Sequence, residues 1–343
     1  MTERRHEGDG VVHAVGNACA GLDRVLVAVS GGMDSMVLLT AAAALPREQR
    51  PQLLVASFDH GTGPAARHAL DLVRRRSKEL DLPFVAGRAA TTATTEHEWR
   101  VSRWAFLRKA AAEFDGVIAT AHTLDDQIET IFIRILRDAG PRGLAALFAE
   151  TEVVRPFLSL SREEIARFAR DHGVTHTEDP SNAARAHLRN RVRHDLLPAI
   201  SRVRPGFPAQ LISIARKSAD WRARMLTIAD GVDAKLEADG SLRIARAALQ
   251  GYDAESLRVL WPSIAAKADI VMDRRGTHRL AEFTMKGVTG GSIQLSGGVE
   301  VRMFREYLLL RRWDWRRVEA ERVSRRGLFD SRPAASAVSV EHM

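Results

Sequence analysis

Hydrophobic and polar positions along the first half of the chain follow two alternating periods. Short apolar runs at 25–29, 53–58, 84–86 and 117–120 predict strands buried on both faces. Segments of helical period separate and follow them, over 33–45, 66–80, 98–114 and 124–137. That β-α-β-α order predicts an α/β fold, a doubly wound and mostly parallel sheet of Rossmann-like form with helices on both faces. Sheets of this kind bind ligands outside the carboxyl ends of their strands. Ser161-Arg-Glu-Glu164 has the spacing of a capping box and Gly173 suits a C′ position, so a helix is expected over 161–172.

Arg204-Pro-Gly-Phe-Pro208 reads as a boundary. After it, Leu211, Ile214, Ser218, Trp221, Met225 and Ile228 step by three and four, one stripe of a long amphipathic helix. A second helical part is expected to about residue 286. A hairpin follows, from strands over 292–295 and 299–304 around Gly297-Gly298, then a further strand over 307–311. The expected organisation is a tail (1–20), a catalytic α/β domain (21–204), a smaller α+β domain with a linker helix (205–326) and a loose tail (327–343).

Composition narrows the chemistry. Cys19 is the only cysteine, which excludes a disulfide framework, a CxxC pair and a cysteine zinc site and fits a reducing cytoplasm. The start is charged and lacks the apolar core of a signal peptide, and no apolar run reaches about 18 residues, so no membrane partner is expected. The formal net charge is +8, carried mostly by arginine, because the only lysines are Lys78, Lys109, Lys217, Lys235, Lys267 and Lys286. Arginine recognises phosphates bidentately and stacks on bases. A polyanionic partner is one reading of this charge; an arginine-rich proteome is the other.

The chemistry-bearing residues fall at the expected carboxyl ends. Ser30-Gly31-Gly32-Met33-Asp34-Ser35 joins the first strand to the first helix. Two glycines there let backbone N–H groups turn inward, and with the helix N-terminus they make a nest for an anion. Asp34 inside such a nest makes sense once a Mg²⁺ bridges it to phosphates. The lysine of a Walker A loop and the G-x-G-x-x-G spacing of a dinucleotide fold are both absent. At 122–130, His122 precedes Asp125, Asp126 and Glu129, three acids near one helix face, with Ile128, Ile131 and Ile135 expected to fill the buried face. Such acids suit Mg²⁺, an incoming ammonium or a general base. Thr123-x-x-Asp126 also has capping-box spacing, which by itself explains Asp126. Arg189 and Arg193 share a helix face fit to grip phosphates or to stay solvated, and Arg191 points elsewhere.

The S-G-G-x-D-S run resembles the PP-loop ATP pyrophosphatase superfamily, which splits ATP between the α and β phosphates and adenylates an oxygen. His122-x-x-Asp-Asp-Gln-x-Glu-Thr130, Arg134-x-x-Arg137, Arg142-Gly-Leu144, Arg155-Pro-Phe-Leu158, Glu178-Asp-Pro-Ser-Asn182 and Arg189-Asn-x-x-Arg193 with Leu196-Leu-Pro198 resemble its lysidine synthase family. Related thiolases usually add catalytic cysteines, and Cys19 cannot form a pair. The resemblance implies adenylation of the C2 oxygen of the wobble cytidine in the isoleucine tRNA with a CAU anticodon. Displacement of AMP by the ε-amine of free L-lysine then gives lysidine.

It implies ATP contacts from Ser30, Gly31, Gly32, Met33, Asp34, Ser35 and His122, and Mg²⁺ on Asp34 and Asp125. Asp125, Asp126 and Glu129 would handle lysine, and Arg189 and Arg193 would neutralise phosphates. Arg100 and Arg103, in a match to the family's A-R-x-x-R-Y, and Arg191 and His194 would meet tRNA; a homodimer stays open. Trp99 and Trp104 depart from that motif's alanine and tyrosine, and Asp59-His60-Gly61 departs from the family's H-x-x-H-G-L-R. Another PP-loop enzyme, or a non-catalytic tRNA-binding protein, remains an alternative.

Overall fold

The computed structural model describes residues 4–61, 63–89, 96–148, 153–178 and 188–312. The chain divides into two compact units after Arg222, inside one long helix.

The first unit runs α1 (Arg4–Cys19), β1 (Arg24–Ala28), α2 (Met33–Ala43), β2 (Gln52–Asp59), α3 (Pro64–Glu79), β3 (Phe84–Arg88), α4 (Glu96–Phe114), β4 (Val117–Ala119) and α5 (Leu124–Leu136). It continues through α6 (Pro141–Leu144), β5 (Val153–Val154) and α7 (Arg162–Asp171). Helix α8 (Leu188–Arg191) then leads through a π-type turn (Val192–Leu196) into α9 (Leu197–Val203), and α10 (Phe207–Asp230) follows. The strands form an all-parallel sheet in the order β3-β2-β1-β4-β5.

Side chains of β1 alternate between two cores, which is why its sequence is continuously apolar. Val25 and Val27 enter a core shared with α1, α2, α3 and α7, where Met36, Leu39, Val73, Ile165 and Phe168 pack. Leu26 enters the opposite core, with Leu107, Ala110 and Ala111 of α4. Helices thus cover both faces, as the sequence pattern implies. The segment expected as an N-terminal tail instead forms α1, whose Val11, Val15 and Cys19 are buried at helical spacing.

A smaller core joins α5 to the start of α10 through Ile131, Phe132, Val192, Leu211 and Ala215. Two expected positions shift here. Ile135 is 40% exposed and Phe132 fills the buried place beside Ile131. On α10, Ile214 and Ile228 are exposed while Leu211, Ala215, Ser218 and Ala229 are buried. Leu211 and Ser218 hold their expected places, while the small Ala215 and Ala229, which allow close approach of the helix, take those expected of Ile214 and Ile228.

The second unit contains β6 (Ala234–Leu236), β7 (Leu242–Ala245), α11 (Ala254–Ala265), α12 (Arg274–Lys286), β8 (Ser292–Leu295), β9 (Val299–Met303) and β10 (Tyr307–Arg312). Its antiparallel sheet has the order β6-β7-β10-β9-β8. The expected hairpin is present, with Gly297 and Gly298 both at positive φ. Strands β6 and β7 lie where only helix was expected. Trp261, fully buried, centres the core with Leu257, Leu280, Ile244, Val301 and Leu310, and its indole N–H donates to Thr284 Oγ1 at 3.1 Å. Asp253 and Asp273 cap α11 and α12 by accepting from Ser256 N and Gly276 N. Among the described residues no helix is long and apolar enough to cross a membrane. The tail beyond 312 and most of the Glu178-Asp-Pro-Ser-Asn182 motif lie outside the described residues.

Candidate active site

Beyond the carboxyl end of β1, Gly31 turns the chain at φ +89°, and a Cβ placed there would sit 2.9 Å from Ala69 Cβ on α3. Both the conformation and the space demand glycine. The loop is pinned from inside: Ser35 Oγ donates to Gly32 O at 2.8 Å and accepts from Ser30 N at 3.1 Å, with Ser30 Oγ 3.2 Å away. It is also pinned from outside, because Thr177 donates through N (2.9 Å) and Oγ1 (3.1 Å) to Gly31 O. Thr177 was not singled out by sequence reasoning; nothing local marks a residue 146 positions away as a clamp. Helix α2 begins at an N-cap glycine that offers no side-chain cap, so its first-turn amides stay open toward a ligand.

Asp34 stands in the first turn of α2. Its Oδ2 lies 3.5 Å from Arg162 Nη2, whereas its Oδ1 is buried with no hydrogen-bond partner among the described residues. Burial raises the Asp34 pKa, Arg162 pulls against that, and Asp126 raises it further. A buried carboxylate oxygen with no partner, beside open amides, fits a cation accompanying bound phosphates.

The end of β4 brings the acids. Thr123 caps α5 in a reciprocal box: Thr123 N donates to Asp126 Oδ2 at 3.0 Å and Asp126 N to Thr123 Oγ1 at 3.3 Å. This structural reading of Asp126 holds for Oδ2. The other oxygen, Oδ1, meets three guanidiniums, Arg189 at 3.1 Å, Arg193 at 3.2 Å and Arg162 at 3.6 Å. Glu129, only 2% exposed, accepts from Arg189 Nε at 2.9 Å and Arg193 Nη2 at 2.8 Å, with Arg193 Nε on its second oxygen. The acids and the arginines, expected to hold different ligands, are therefore each other's partners.

Asp125 turns the other way and accepts from Arg162 N at 2.7 Å, which ties α5 to the start of α7. It shares Arg162 with Asp34, one through the backbone and one through the side chain. Among the described residues no three His, Cys, Asp or Glu side chains converge as a ready metal cage, so any Mg²⁺ would need ligands from the nucleotide.

Electrostatics follow this geometry. Burial opposes the charge of Asp126, but Arg189, the Thr123 amide and Arg162 outweigh it and lower its pKa. Burial likewise opposes the charge of Arg193, and Glu129, Asp126 and Asp34 together raise its pKa. Among the described residues four carboxylates (Asp34, Asp125, Asp126, Glu129) thus gather with three arginines (Arg162, Arg189, Arg193), a formal excess of one negative charge. His122, bonded through Nδ1 to Thr120 Oγ1 at 2.9 Å, has its pKa lowered to about 4, chiefly by burial, against Asp126 and with help from Arg155, Arg189 and Arg103. It is a neutral imidazole at neutral pH.

Arg162, like Thr177, was missed by sequence reasoning; its one signal is its place directly after the Ser161 cap. Gln127, inside the acidic motif, is fully buried and structural: it donates to Ala145 O and accepts from Leu147 N at 2.8 Å. Of the other expected residues, Arg100, Arg191 and His194 are exposed, and Arg103 is half-buried. Trp104 packs in the α4 core, with Arg108 over its ring. In the divergent loop Asp59 is buried, accepts from Gly61 N at 2.8 Å and pairs with Arg88 of β3 at 3.6 Å, and the His60 ring lies 6.2 Å from that of Trp99 on α4.

An all-parallel sheet with an open-amide glycine loop after its central strand defines a nucleotide-binding α/β domain. Residues 10–200, more than half of the chain, match a family model described as a PP-loop domain, and the chain belongs to that ATP-binding family. It is similar to the tRNA(Ile)-lysidine synthase of Geobacter sulfurreducens, 38% identical over 213 residues that make up 59% of this chain and 45% of that relative. It is also similar to the tRNA(Ile)-lysidine synthase of Parasynechococcus marenigrum, 29% identical over 80% of this chain and 84% of that one. The match to the first of these spans less than half of that relative's length. Among solved structures, the U34-tRNA thiolase NcsA from Methanococcus maripaludis shares the fold, with a TM-score of 0.50 and 15% identity over 62% of this chain and 77% of that one.

Proposed function

We propose that this chain ligates lysine to the C2 position of the wobble cytidine of the isoleucine tRNA with a CAU anticodon, using ATP, in the cytoplasm. The observation that carries the reading is the bare, buried Oδ1 of Asp34 beside the open amides of α2, linked through Arg162 to the acids of α5.

The amides of the 30–35 loop receive the outer phosphates of ATP and hold them while the cytidine O2 attacks the α-phosphorus. The P–O bond to pyrophosphate breaks, and AMP becomes attached through the base oxygen. Amides fixed by the Ser30–Ser35 and Thr177 contacts need no rearrangement as charge develops on the leaving group, and that is where their contribution is greatest. Asp34 is the residue that would hold Mg²⁺, which when bound offsets the pyrophosphate charge.

The ε-amine of lysine then attacks C2 and AMP leaves. At an unperturbed pKa near 10.4 that amine is an ammonium, so it must shed a proton first. The one unbalanced negative charge among Asp34, Asp125, Asp126 and Glu129 attracts the ammonium, and a carboxylate there accepts the proton.

Transfer of radiolabelled lysine to total tRNA, with ATP present or withheld, tests the whole reading. Label that enters tRNA without ATP, or not at all, rejects it. Asp34→Ala tests the phosphate site: tRNA-dependent ATP–pyrophosphate exchange should vanish while the circular dichroism spectrum holds. Exchange at the wild-type rate would remove Asp34 from the site.

A further inference from the structure

The site just described leaves a second charged region of the first unit unused. Arg134 of α5, Arg142 of α6, Arg155 just past β5 and Arg222 of α10 gather with Arg100 and Arg103 of α4. Their closeness registers as mutual repulsion. Burial first, and then neighbouring guanidiniums, lower the pKa of Arg134, Arg142, Arg155 and Arg103: Arg222 and Arg100 act on Arg134, Arg222 on Arg142, and Arg100 on Arg155 and on Arg103.

Carbonyls take up some of the donors here. Arg134 donates to Gly143 O, and Arg155 to Leu147 O and Val153 O. Arg103 Nε and Arg222 Nε are buried with no hydrogen-bond partner. Among the described residues no carboxylate pairs with Arg103, Arg134 or Arg222.

Gathering like charges in a partly desolvated place is unfavourable, and an unsatisfied buried N–H adds to the cost. Planar guanidiniums are the groups suited to phosphate oxygens. The gathering is also contiguous with the active site, because Arg103 and Arg155 both act on His122, which in turn adjoins Asp126. A strand whose base reaches the 30–35 loop would carry its neighbouring phosphates past these arginines.

We propose that Arg134, Arg142, Arg155 and Arg222 seat the ribose-phosphate backbone of the RNA strand flanking the reacting base. The inference rests on the reading of tRNA as substrate, and it names the surface that holds it.

The test measures isoleucine tRNA binding to wild type, Arg222→Gln, Arg142→Gln and Arg222→Lys across a salt series, alongside lysine-transfer kinetics. Each Gln variant should raise Kd about three- to tenfold, the loss expected for one net charged contact. The slope of log K against log salt should flatten by about 0.7 to 1 for each arginine removed. KM for tRNA should rise while kcat at saturating tRNA holds, and Arg222→Lys should keep the wild-type salt slope. Unchanged Kd and slope in both Gln variants, with wild type still ligating lysine, overturns the seat and leaves the function standing. A wild type that neither binds tRNA nor transfers lysine overturns both. Arg142→Gln carries the test if Arg222→Gln fails to fold.

Discussion

The first unit holds two gatherings of arginine, and they are electrostatic opposites. Around Asp126 and Glu129, the guanidiniums of Arg162, Arg189 and Arg193 are nearly matched by carboxylates and spend their donors on them. Around Arg134 and Arg222 the same side chain repels its own kind and meets carbonyls or no partner. The residue type is the same, so neighbours alone decide whether an arginine holds the protein together or waits for something outside it. The first group is an interior network with, among the described residues, a formal excess of one negative charge. In the second, Arg103, Arg134 and Arg222 have no carboxylate partner among the described residues.

The largest effect should come from breaking the matched group. Glu129→Gln leaves Arg189 and Arg193 facing one carboxylate, Asp126, in place of two. Removing one partner of a buried ion pair costs about 3–5 kcal/mol, and the partial exposure of Arg189 places this case at the lower end. Chemical denaturation should show a lower midpoint, and lysine transfer should be lost while tRNA binding persists. Glu129→Asp, which keeps the charge, should recover part of the stability. A midpoint as high as wild type for Glu129→Gln would mean that the network contributes nothing to folding.

His122 lies between the two groups and should show an intermediate effect. It faces Asp126 on one side and Arg155, Arg189 and Arg103 on the other. Its folded pKa of about 4 lies below the unfolded value of 6.5, so the unfolded chain binds the proton first. Its contribution is fully present above pH 6.5 and is lost as pH falls toward 4. A gap of roughly 2.5 units corresponds to about 3 kcal/mol over that window. His122→Gln should flatten the decline between pH 6.5 and 4 relative to wild type. Parallel curves for the two proteins would show that the imidazole is already charged in the folded state.

These two groups also mark how far the sequence could be read. The 30–35 loop was legible because each requirement is local: a strand, a turn needing positive φ at Gly31, and an acid at the helix start. The capping boxes at Thr123 and Ser161 were legible for the same reason. Partnerships across elements were not. Asp125 and Arg162 meet over 37 positions, and Arg189 and Glu129 over 60, and no periodicity encodes which helices a sheet will bring together. The spacing of Val11, Val15 and Cys19 in α1 was visible, but the charged start of the chain masked it. Strands β6 and β7 are too short, at three and four residues, to outweigh helical surroundings.

The smallest effect sharpens the contrast most, because its sign is reversed. Arg222→Gln removes a charge that other arginines repel and that no carboxylate among the described residues pairs with, so the free protein should gain stability, by about 0.5 kcal/mol for a partly screened pair. Thermal melting followed by a probe in the first unit should show a rise of about 1–2 °C. If repulsion is the cause, the gain should fade at about 1 M salt, where the Debye length falls to about 3 Å. A fall in melting temperature would instead assign Arg222 a packing role through its aliphatic stem. A gain in stability joined to weaker tRNA binding is the signature of a surface held ready for a partner, and the matched group around Glu129 has no means of producing it.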